Sequence, residues 1–250
     1  MKRKLVAALV CRNQGSRLFG KPLQNLDIEA EYCILDNIIQ CLQSISCIDE
    51  IILGISEGIE NEIFKRYAEK YHLKYIVGDQ NDVLSRLIQC GNAGEATDIF
   101  RTTTESPFLF FDPVESLWDQ HVKEKADATF LDNIIDGCGF EIISLVALEE
   151  SHKKGENRHR SELCTLYIRE NADNYHIIRE YPPSEMVRRD LRLTVDNPED
   201  LIVCRNAYMA LKSYAPRIPI NLIVNFLDLN PFLIQLITPY TEQGYSLMYK

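Results

Sequence analysis

The chain has 250 residues, of which 46% are hydrophobic and 26% are charged, and its formal net charge at pH 7 is −10. This composition is ordinary for a globular protein with one sizeable core, and the acidic balance argues against a nucleic-acid partner. No apolar run approaches the roughly 18 residues that span a bilayer, so we expect no membrane partner.

The chain alternates strand and helix patterns from its first residues. Residues 5–10 follow a basic start that superficially resembles a signal peptide, but no small-residue cleavage site follows, so we predict a buried first strand in a cytoplasmic protein. In chain order the further predicted elements are helix 33–45, strand 50–56, helix 59–71, strand 74–77, helix 82–90, strand 98–102, helix 112–124, strand 128–131, strand 141–145, helix 146–154, strand 192–195, helix 201–214 and one or two helices in 217–237.

This β-α-β alternation predicts an α/β fold with a mostly parallel sheet and helices on both faces. No internal repeat or low-complexity linker interrupts the chain, so we expect a single domain over 1–250, with a core at 1–215 and a C-terminal helical extension at 216–250. Ligands of such sheets bind beyond the carboxyl ends of the strands. The loops that start at Cys11, Gly78, Thr103 and Leu131 are therefore the candidate site.

The eight cysteines form no C-x-x-C pair, and no histidine lies at zinc-ligand spacing from them. Most of them lie within apolar runs, which is typical of reduced thiols that act as small core residues.

The loop after the first strand, C-R-N-Q-G-S-R-L-F-G-K-P-L at 11–23, differs from a phosphate-binding P-loop at one position. Pro22 stands where a P-loop needs a Ser or Thr hydroxyl for Mg²⁺, and this absence excludes a P-loop NTPase on chemical grounds. Gly15 and Gly20 still allow backbone N–H groups to face an anion, and basic side chains surround them. The residues alone leave two interpretations open: a triphosphate-binding loop and an ordinary basic turn.

Five ordered stretches stand out along the chain, namely the loop at 11–23, GDQNDVLSRL at 78–87, RTTTESPFLFFDP at 101–113, DGCGFEIISLVALE at 136–149 and DLRLTVDNPEDL at 190–201. Together they resemble the signatures of the cytidylyltransferases that activate sugar acids, and the closest resemblance is to the spore-coat-polysaccharide type. The resemblance implies a Rossmann-like three-layer nucleotidyltransferase fold, transfer of CMP from CTP to a sugar acid with release of pyrophosphate, Mg²⁺ as cofactor, and a homodimer.

The resemblance also assigns roles to individual residues. The implied nucleotide-binding residues are Arg12, Gln14, Gly15, Ser16, Arg17, Lys21, Asp82 and Arg86, of which Arg12 and Lys21 are also the implied catalytic residues. The implied Mg²⁺ ligands are Glu105 and Asp196, and the implied acceptor-binding residues are Arg101, Glu141, Glu162, Thr165 and Tyr167. On the residues alone, Asp196 is also compatible with a helix cap, and Glu105 with a solvated loop acid.

The chain departs from the family pattern where chemistry is expected. Glu105 replaces an Asp, Phe19 replaces a Pro, and S-E-L-C-T-L-Y at 161–167 replaces R-E-H-V-T-P-Y. The last change predicts an altered acceptor. Two alternatives stay open: a non-catalytic nucleotide-binding homologue, and a nucleotidyltransferase that uses another NTP and a sugar phosphate.

Overall fold

The apolar run near the amino terminus forms the central strand β1 (Leu5–Cys11), whose side chains are buried on both faces. Such double burial is typical of a parallel strand covered by helices on each side. The computed structural model describes residues 3–241.

Eight more strands and nine helices follow in the described residues. The strands are β2 (Asn25–Asp27), β3 (Tyr32–Cys33), β4 (Glu50–Ser56), β5 (Lys74–Gly78), β6 (Asp98–Arg101), β7 (Ala128–Leu131), β8 (Glu141–Ser144) and β9 (Ile177–Glu180). The helices are α1 (Ile34–Gln43), α2 (Ile63–Tyr71), α3 (Val83–Ala93), α4 (Val114–Glu124), α5 (Leu145–Lys154), α6 (Leu166–Glu170), α7 (Pro198–Leu211), α8 (Ile220–Asp228) and α9 (Pro231–Ile237).

The main sheet has seven strands in the order β5-β4-β1-β6-β8-β7-β9, and β2 and β3 form a separate antiparallel pair. Strands β4 and β6 pair with β1 in parallel, and β5 pairs in parallel with β4. Strand β9 is parallel to β7. Strand β8 alone runs against its neighbours β6 and β7. The predicted mostly parallel sheet is confirmed.

Two apolar layers cover the sheet. One contains the buried faces of α1, α2, α4 and α7 to α9, and the other contains those of α3, α5 and α6. All eight cysteines are free and seven of them are buried, as predicted for reduced core residues.

Most predicted elements are confirmed within a few residues, but one prediction is wrong. Residues 192–195 form no strand, and their only ladder contact among the described residues is an isolated bridge between Asp136 and Arg192. The sequence analysis also missed β2, β3, α6 and the short edge strand β9. Helices α8 and α9 confirm the helices predicted in 217–237. The division into a core and a C-terminal extension stays a prediction, and residues 242–250 of that extension lie outside the described part.

Within residues 3–241, no single helix is long and apolar enough to cross a membrane. The segments Ile220–Asp228 and Pro231–Tyr240 reach that length and composition only together, as a pair bent by 101°.

A buried charge cluster fixes the edge of the sheet at the amino ends of its parallel strands. Asp98 begins β6, is fully buried, and accepts hydrogen bonds from Arg3 Nε at 2.7 Å and Thr97 Oγ1 at 2.7 Å. His121 of α4 lies 3.0 Å from the same carboxylate and 2.8 Å from Thr129. Burial opposes the charge on Asp98, but His121 and Arg3 outweigh it and hold the pKa of the carboxyl below its usual value.

We expect Asp98→Asn to lower the free energy of unfolding at pH 7 by about 3 kcal/mol, because it leaves Arg3 without its carboxylate. Urea denaturation measures this, with the exposed Asp119→Asn as a control within about 0.5 kcal/mol of the parent. Since the pKa of Asp98 is lowered in the fold, its stabilisation is present above about pH 4 and is lost as the pH falls through the folded value. The gap between parent and variant should therefore shrink in acid, and a gap independent of pH would contradict the assignment.

Candidate active site

The loops that follow β1, β6 and β7 meet at the carboxyl edge of the sheet and enclose a cavity of about 470 Å³. It contains most of the site residues expected from the sequence. Those that line it are Arg12, Gln14, Gly15, Ser16, Arg17, Lys21, Arg86, Arg101, Glu105, Glu141, Glu162, Thr165 and Asp196. Asp82 and Tyr167 do not line the cavity.

The basic loop along one wall of the cavity has a defined backbone. The N–H of Gly20 bonds to the carbonyl of Asn13 at 2.8 Å, with Gly20 in the left-handed region at φ 63°. A Cβ at Gly15 would lie 2.3 Å from the carbonyl oxygen of Leu18, so this position requires glycine. Pro22 is buried in the 3-10 turn that follows, and its missing N–H costs nothing in a first turn.

A second segment supports this loop from behind. The N–H of Asn13 bonds to Asn61 Oδ1 at 2.8 Å, and Asn61 Nδ2 donates to Gln14 Oε1 at 3.2 Å. The side chain of Gln14 also donates to Glu60. Because Gln14 is held by this segment, its side chain is a part of the loop scaffold as well as of the cavity wall.

Asp196 lies in direct contact with the basic loop. Its Oδ1 lies 2.5 Å from Lys21 Nζ and 3.4 Å from Arg17, and its Oδ2 pairs with Arg192. Burial opposes the charge, but Lys21 and the two guanidinium groups outweigh it, so the pKa of Asp196 is below its usual value. The side chain is therefore a carboxylate at neutral pH.

A buried arginine fixes the backbone around Asp196. Besides Asp196, the guanidinium of Arg192 contacts Asp136 at 3.2 Å and Asp200 at 3.1 Å. Asp200 also accepts the N–H groups of Asp196 at 3.0 Å and Asn197 at 2.8 Å, where α7 begins. Asn197 and Asp200 therefore provide the cap of α7, and the side chain of Asp196 is left to the cavity.

The arginine does not fully neutralise this group of carboxylates. Burial raises the pKa of Asp136 to about 6, and the negative charges of Asp196 and Asp200 add to the effect while Arg192 opposes it. The carboxylate cluster around Arg192 thus favours additional positive charge.

Glu105, the other expected metal ligand, lies beside Asp196. The N–H of Val195 donates to the main-chain carbonyl of Glu105 at 3.0 Å, which brings the two segments together. The preceding Thr104 anchors this loop to the end of β1 by donating to the carbonyl of Val10 at 3.0 Å. Burial raises the pKa of Glu105, and the nearby Lys21 opposes this increase.

This donor set fits Mg²⁺. In proteins Mg²⁺ usually takes one or two carboxylates and completes its shell with substrate phosphates and water. Glu105 and Asp196 supply two carboxylates on one cavity wall, next to a basic loop. In the described residues no group of three or more His, Cys, Asp or Glu side chains could form an all-protein metal cage.

The acceptor half of the cavity contains four of the five residues assigned to the acceptor, which are Arg101, Glu141, Glu162 and Thr165. Glu141, at the start of β8, contacts Arg101 at 2.6 Å, Thr165 at 2.8 Å and Arg169 at 3.0 Å. Burial raises the pKa of Glu141, but Arg101 and Arg169 outweigh this effect and keep it below its usual value. Glu162 pairs with Arg12, and its main-chain carbonyl accepts a hydrogen bond from Arg101 at 2.7 Å.

Sequence reasoning missed Arg169, which also lines the cavity. Its guanidinium bonds to Asp132 at 3.0 Å and lies 3.8 Å from the centre of the Phe130 ring. Arg169 lies outside the matched motifs, and no local pattern marks it, because its partners come from β7, the loop after it and the start of β8.

Asp82 and Tyr167 have structural roles in this conformation. Asp82 caps α3 by accepting the N–H of Ser85 at 2.8 Å, as its position before the helix predicts, and its other oxygen pairs with His152 at 2.7 Å. Tyr167 packs against the ring of His159 at 5.4 Å.

Arg86 is as buried as Arg192 but, unlike Arg192, has no carboxylate partner in the described residues. It is 2% exposed, donates to the carbonyls of Gly54 at 3.0 Å and Cys11 at 3.3 Å, and leaves Nε without a hydrogen-bond partner. In residues 3–241 no carboxylate lies within ion-pair distance of it, and burial lowers its pKa. A buried cation of this kind at the cavity wall is suited to an anionic ligand.

Comparison with known proteins places this geometry in context. No protein-family model matches the chain. It is 24% identical over 97% of its length to an uncharacterized protein of Methanocaldococcus jannaschii, covering 98% of that protein. It is 22% identical over 73% of its length to the spore coat polysaccharide biosynthesis protein SpsF of Bacillus subtilis, covering 76% of that protein.

A solved cytidylyltransferase from Leptospira borgpetersenii superposes with a TM-score of 0.80 at 19% identity, covering 94% of this chain and 97% of the other. The chain shares the fold of that protein. CMP:2-keto-3-deoxy-manno-octonic acid synthetase, solved in complex with CTP, superposes with a TM-score of 0.60 at 15% identity and covers 84% of this chain. The resemblance indicated by the five motifs is confirmed.

Replacement of the buried Arg86 and Arg192 by Met should change the free energy of unfolding by different amounts. We expect Arg192→Met to lower the free energy of unfolding by about 3–5 kcal/mol, because three carboxylates lose their shared partner. Arg86→Met should lower it by only about 1 kcal/mol, because no ion pair is broken and a buried unpaired charge is removed. Chemical denaturation of both variants checks this order, and equal losses would show that Arg86 is a structural residue.

Proposed function

We propose that the protein is a Mg²⁺-dependent cytidylyltransferase that transfers CMP from CTP to a sugar acid or a related acceptor and releases pyrophosphate. Surface polysaccharide or glycan biosynthesis is the proposed context. The observation that carries the proposal is the meeting, in one cavity, of the loop bearing Arg12, Arg17 and Lys21 with the two carboxylates Glu105 and Asp196. The similarity to SpsF and to cytidylyltransferase structures supports the choice of CTP.

The basic loop would bind the triphosphate. Arg12 and Arg17 can make charge-assisted hydrogen bonds to phosphate oxygens, and the N–H groups near Gly15 and Ser16 add neutral donors. Lys21 would neutralise charge that builds up as pyrophosphate leaves, which is the largest electrostatic demand of such a reaction. Arg86 would add a buried positive charge at the same wall.

Glu105 and Asp196 would hold Mg²⁺, which when bound polarises phosphate oxygens and offsets their charge. In the free protein Asp196 is instead neutralised by Lys21 and Arg17. The same two cations are expected to bind the phosphates, so nucleotide binding would free Oδ1 of Asp196 for the metal, while Oδ2 would stay paired with Arg192.

The acceptor would lie on the side of Arg101, Glu141 and Thr165. Glu141 is ionised and held by three donors, so it can accept hydrogen bonds from acceptor hydroxyls without itself moving. Orientation of the attacking hydroxyl relative to the α-phosphate is the main contribution such residues can make.

The proposal is tested by incubating the protein with CTP, Mg²⁺ and a panel of sugar acids while pyrophosphate is measured. We expect release with CTP in preference to other NTPs, and loss of release after chelation of Mg²⁺. Release with UTP or GTP and a sugar phosphate would identify the other nucleotidyltransferase. Thermal stabilisation by CTP without any product would identify a non-catalytic binding protein.

We expect Asp196→Asn to reduce the rate of pyrophosphate release by at least about 100-fold, because it removes a metal ligand. The exposed Asp173→Asn is the matched control and should retain the parent rate. Circular dichroism verifies that both variants fold, and an active Asp196→Asn protein would contradict the assignment.

A second variant tests the loop. Gly15→Ala should weaken CTP binding by about tenfold or more, because the new Cβ meets the Leu18 carbonyl and displaces the N–H groups that face the phosphates. Gly139→Ala is the control, because Gly139 lines the same cavity and its added Cβ would come no nearer than 3.4 Å to another atom, a carbon of Ile134. Isothermal titration with CTP compares the two, and an equal effect of both substitutions would argue against a phosphate-binding loop.

The homodimer implied by the resemblance stays a prediction. Light scattering coupled to size-exclusion chromatography would test it.

A further inference from the structure

One ion pair joins the basic loop, which forms the nucleotide half of the cavity, to the acceptor half. Arg12 extends from the loop after β1, and Glu162 extends from the segment between α5 and α6, 150 residues later in the chain. The two side chains are 38% and 72% exposed, so the pair is accessible to solvent. Within residues 3–241, Glu162 is the only carboxylate in ion-pair contact with Arg12.

The backbone at Glu162 is held independently of this pair. Its carbonyl accepts a hydrogen bond from Arg101 Nη2 at 2.7 Å, and Arg101 Nη1 is bonded to Glu141 at 2.6 Å. Loss of the contact with Arg12 would therefore free the side chain of Glu162 while its main chain stays attached to the acceptor half.

The partner of Arg12 is also easily exchanged. A solvent-exposed ion pair contributes at most about 1 kcal/mol, because water screens it and two flexible side chains must be ordered. Hydrogen bonds from a guanidinium to phosphate oxygens are charge-assisted and commonly bidentate. A bound triphosphate would therefore displace the carboxylate of Glu162 from Arg12.

We propose that Glu162 is a positioning residue that occupies Arg12 in the nucleotide-free protein and is released into the acceptor half when a nucleoside triphosphate binds. This inference rests on the proposed function, since it takes Arg12 as a triphosphate ligand. Glu162 lowers the affinity of the free protein for the nucleotide, and its release places a carboxylate among the groups that contact the acceptor. The acceptor half therefore gains this carboxylate only after the nucleotide is bound.

The test is the affinity of the folded protein for CTP in the presence of Mg²⁺, measured by isothermal titration without any acceptor. We expect Glu162→Gln to bind CTP two- to fivefold more tightly than the parent, which corresponds to about 0.4–1 kcal/mol. The control Glu69→Gln removes one negative charge from an exposed site outside the cavity and should leave the affinity unchanged.

Two further variants separate direct pairing from long-range charge. Glu162→Asp keeps the charge but shortens the side chain by one methylene, so it should also bind CTP more tightly than the parent. When Arg12 is already replaced in Arg12→Gln, the additional change Glu162→Gln should give no further gain. A gain in Glu162→Gln but not in Glu162→Asp, or a full gain without Arg12, would overturn the inference.

The outcomes also distinguish this inference from the proposed function. Should the parent protein bind no nucleoside triphosphate at all, the proposed function fails. Should the parent bind CTP and Glu162→Gln bind it with equal affinity, only the role of Glu162 fails. Inorganic tripolyphosphate serves as a second probe, because it reaches Arg12 without a base or sugar, and it should show the same gain.

Discussion

The contact of the Arg192 guanidinium with Asp136, Asp196 and Asp200 is the interaction on which the site depends. It joins the loop after β7, the segment that carries Asp196, and the first turn of α7. Burying one cation among three anions is favourable only when the geometry is fixed and each oxygen has a partner. These contacts hold the backbone at Asp196 in place, so its side chain is directed into the cavity.

In the free protein, opposite charges of the cavity neutralise one another. Lys21 and Arg17 neutralise Asp196, Arg12 pairs with Glu162, and the carboxylate of Glu141 is shared by two arginines. Arg86 is the exception, because in the described residues no carboxylate pairs with it. Under the proposed function, binding of a nucleotide is an exchange of partners, which makes its net free energy smaller than the gross strength of its contacts.

The fold was largely predictable because its signals are local. Strand β7 (Ala128–Leu131) has the predicted bounds, since its short sequence A-T-F-L is bounded by Asp127 and Asp132. Strand β9 was missed because it is short, lies at the sheet edge and contains charged residues, so its pattern is weak. Residues 192–195 resembled a strand for another reason, because their side chains are buried against the core without a partner strand.

Residues of the candidate site could be predicted only where they lie within a recognisable motif. The resemblance assigned roles to Arg12, Lys21 and Asp196, and all three line the cavity, while their roles stay predictions. Partnerships such as that of Arg12 with Glu162 depend on packing between distant segments, which no sequence window contains. Strand β8 has one more consequence: because it alone is reversed, its first residue, Glu141, lies at the edge where the parallel strands end. Glu141 is thereby preorganised by sheet hydrogen bonds on both sides, so under the proposed function a redesign of acceptor preference would start from the segment at 161–167 instead.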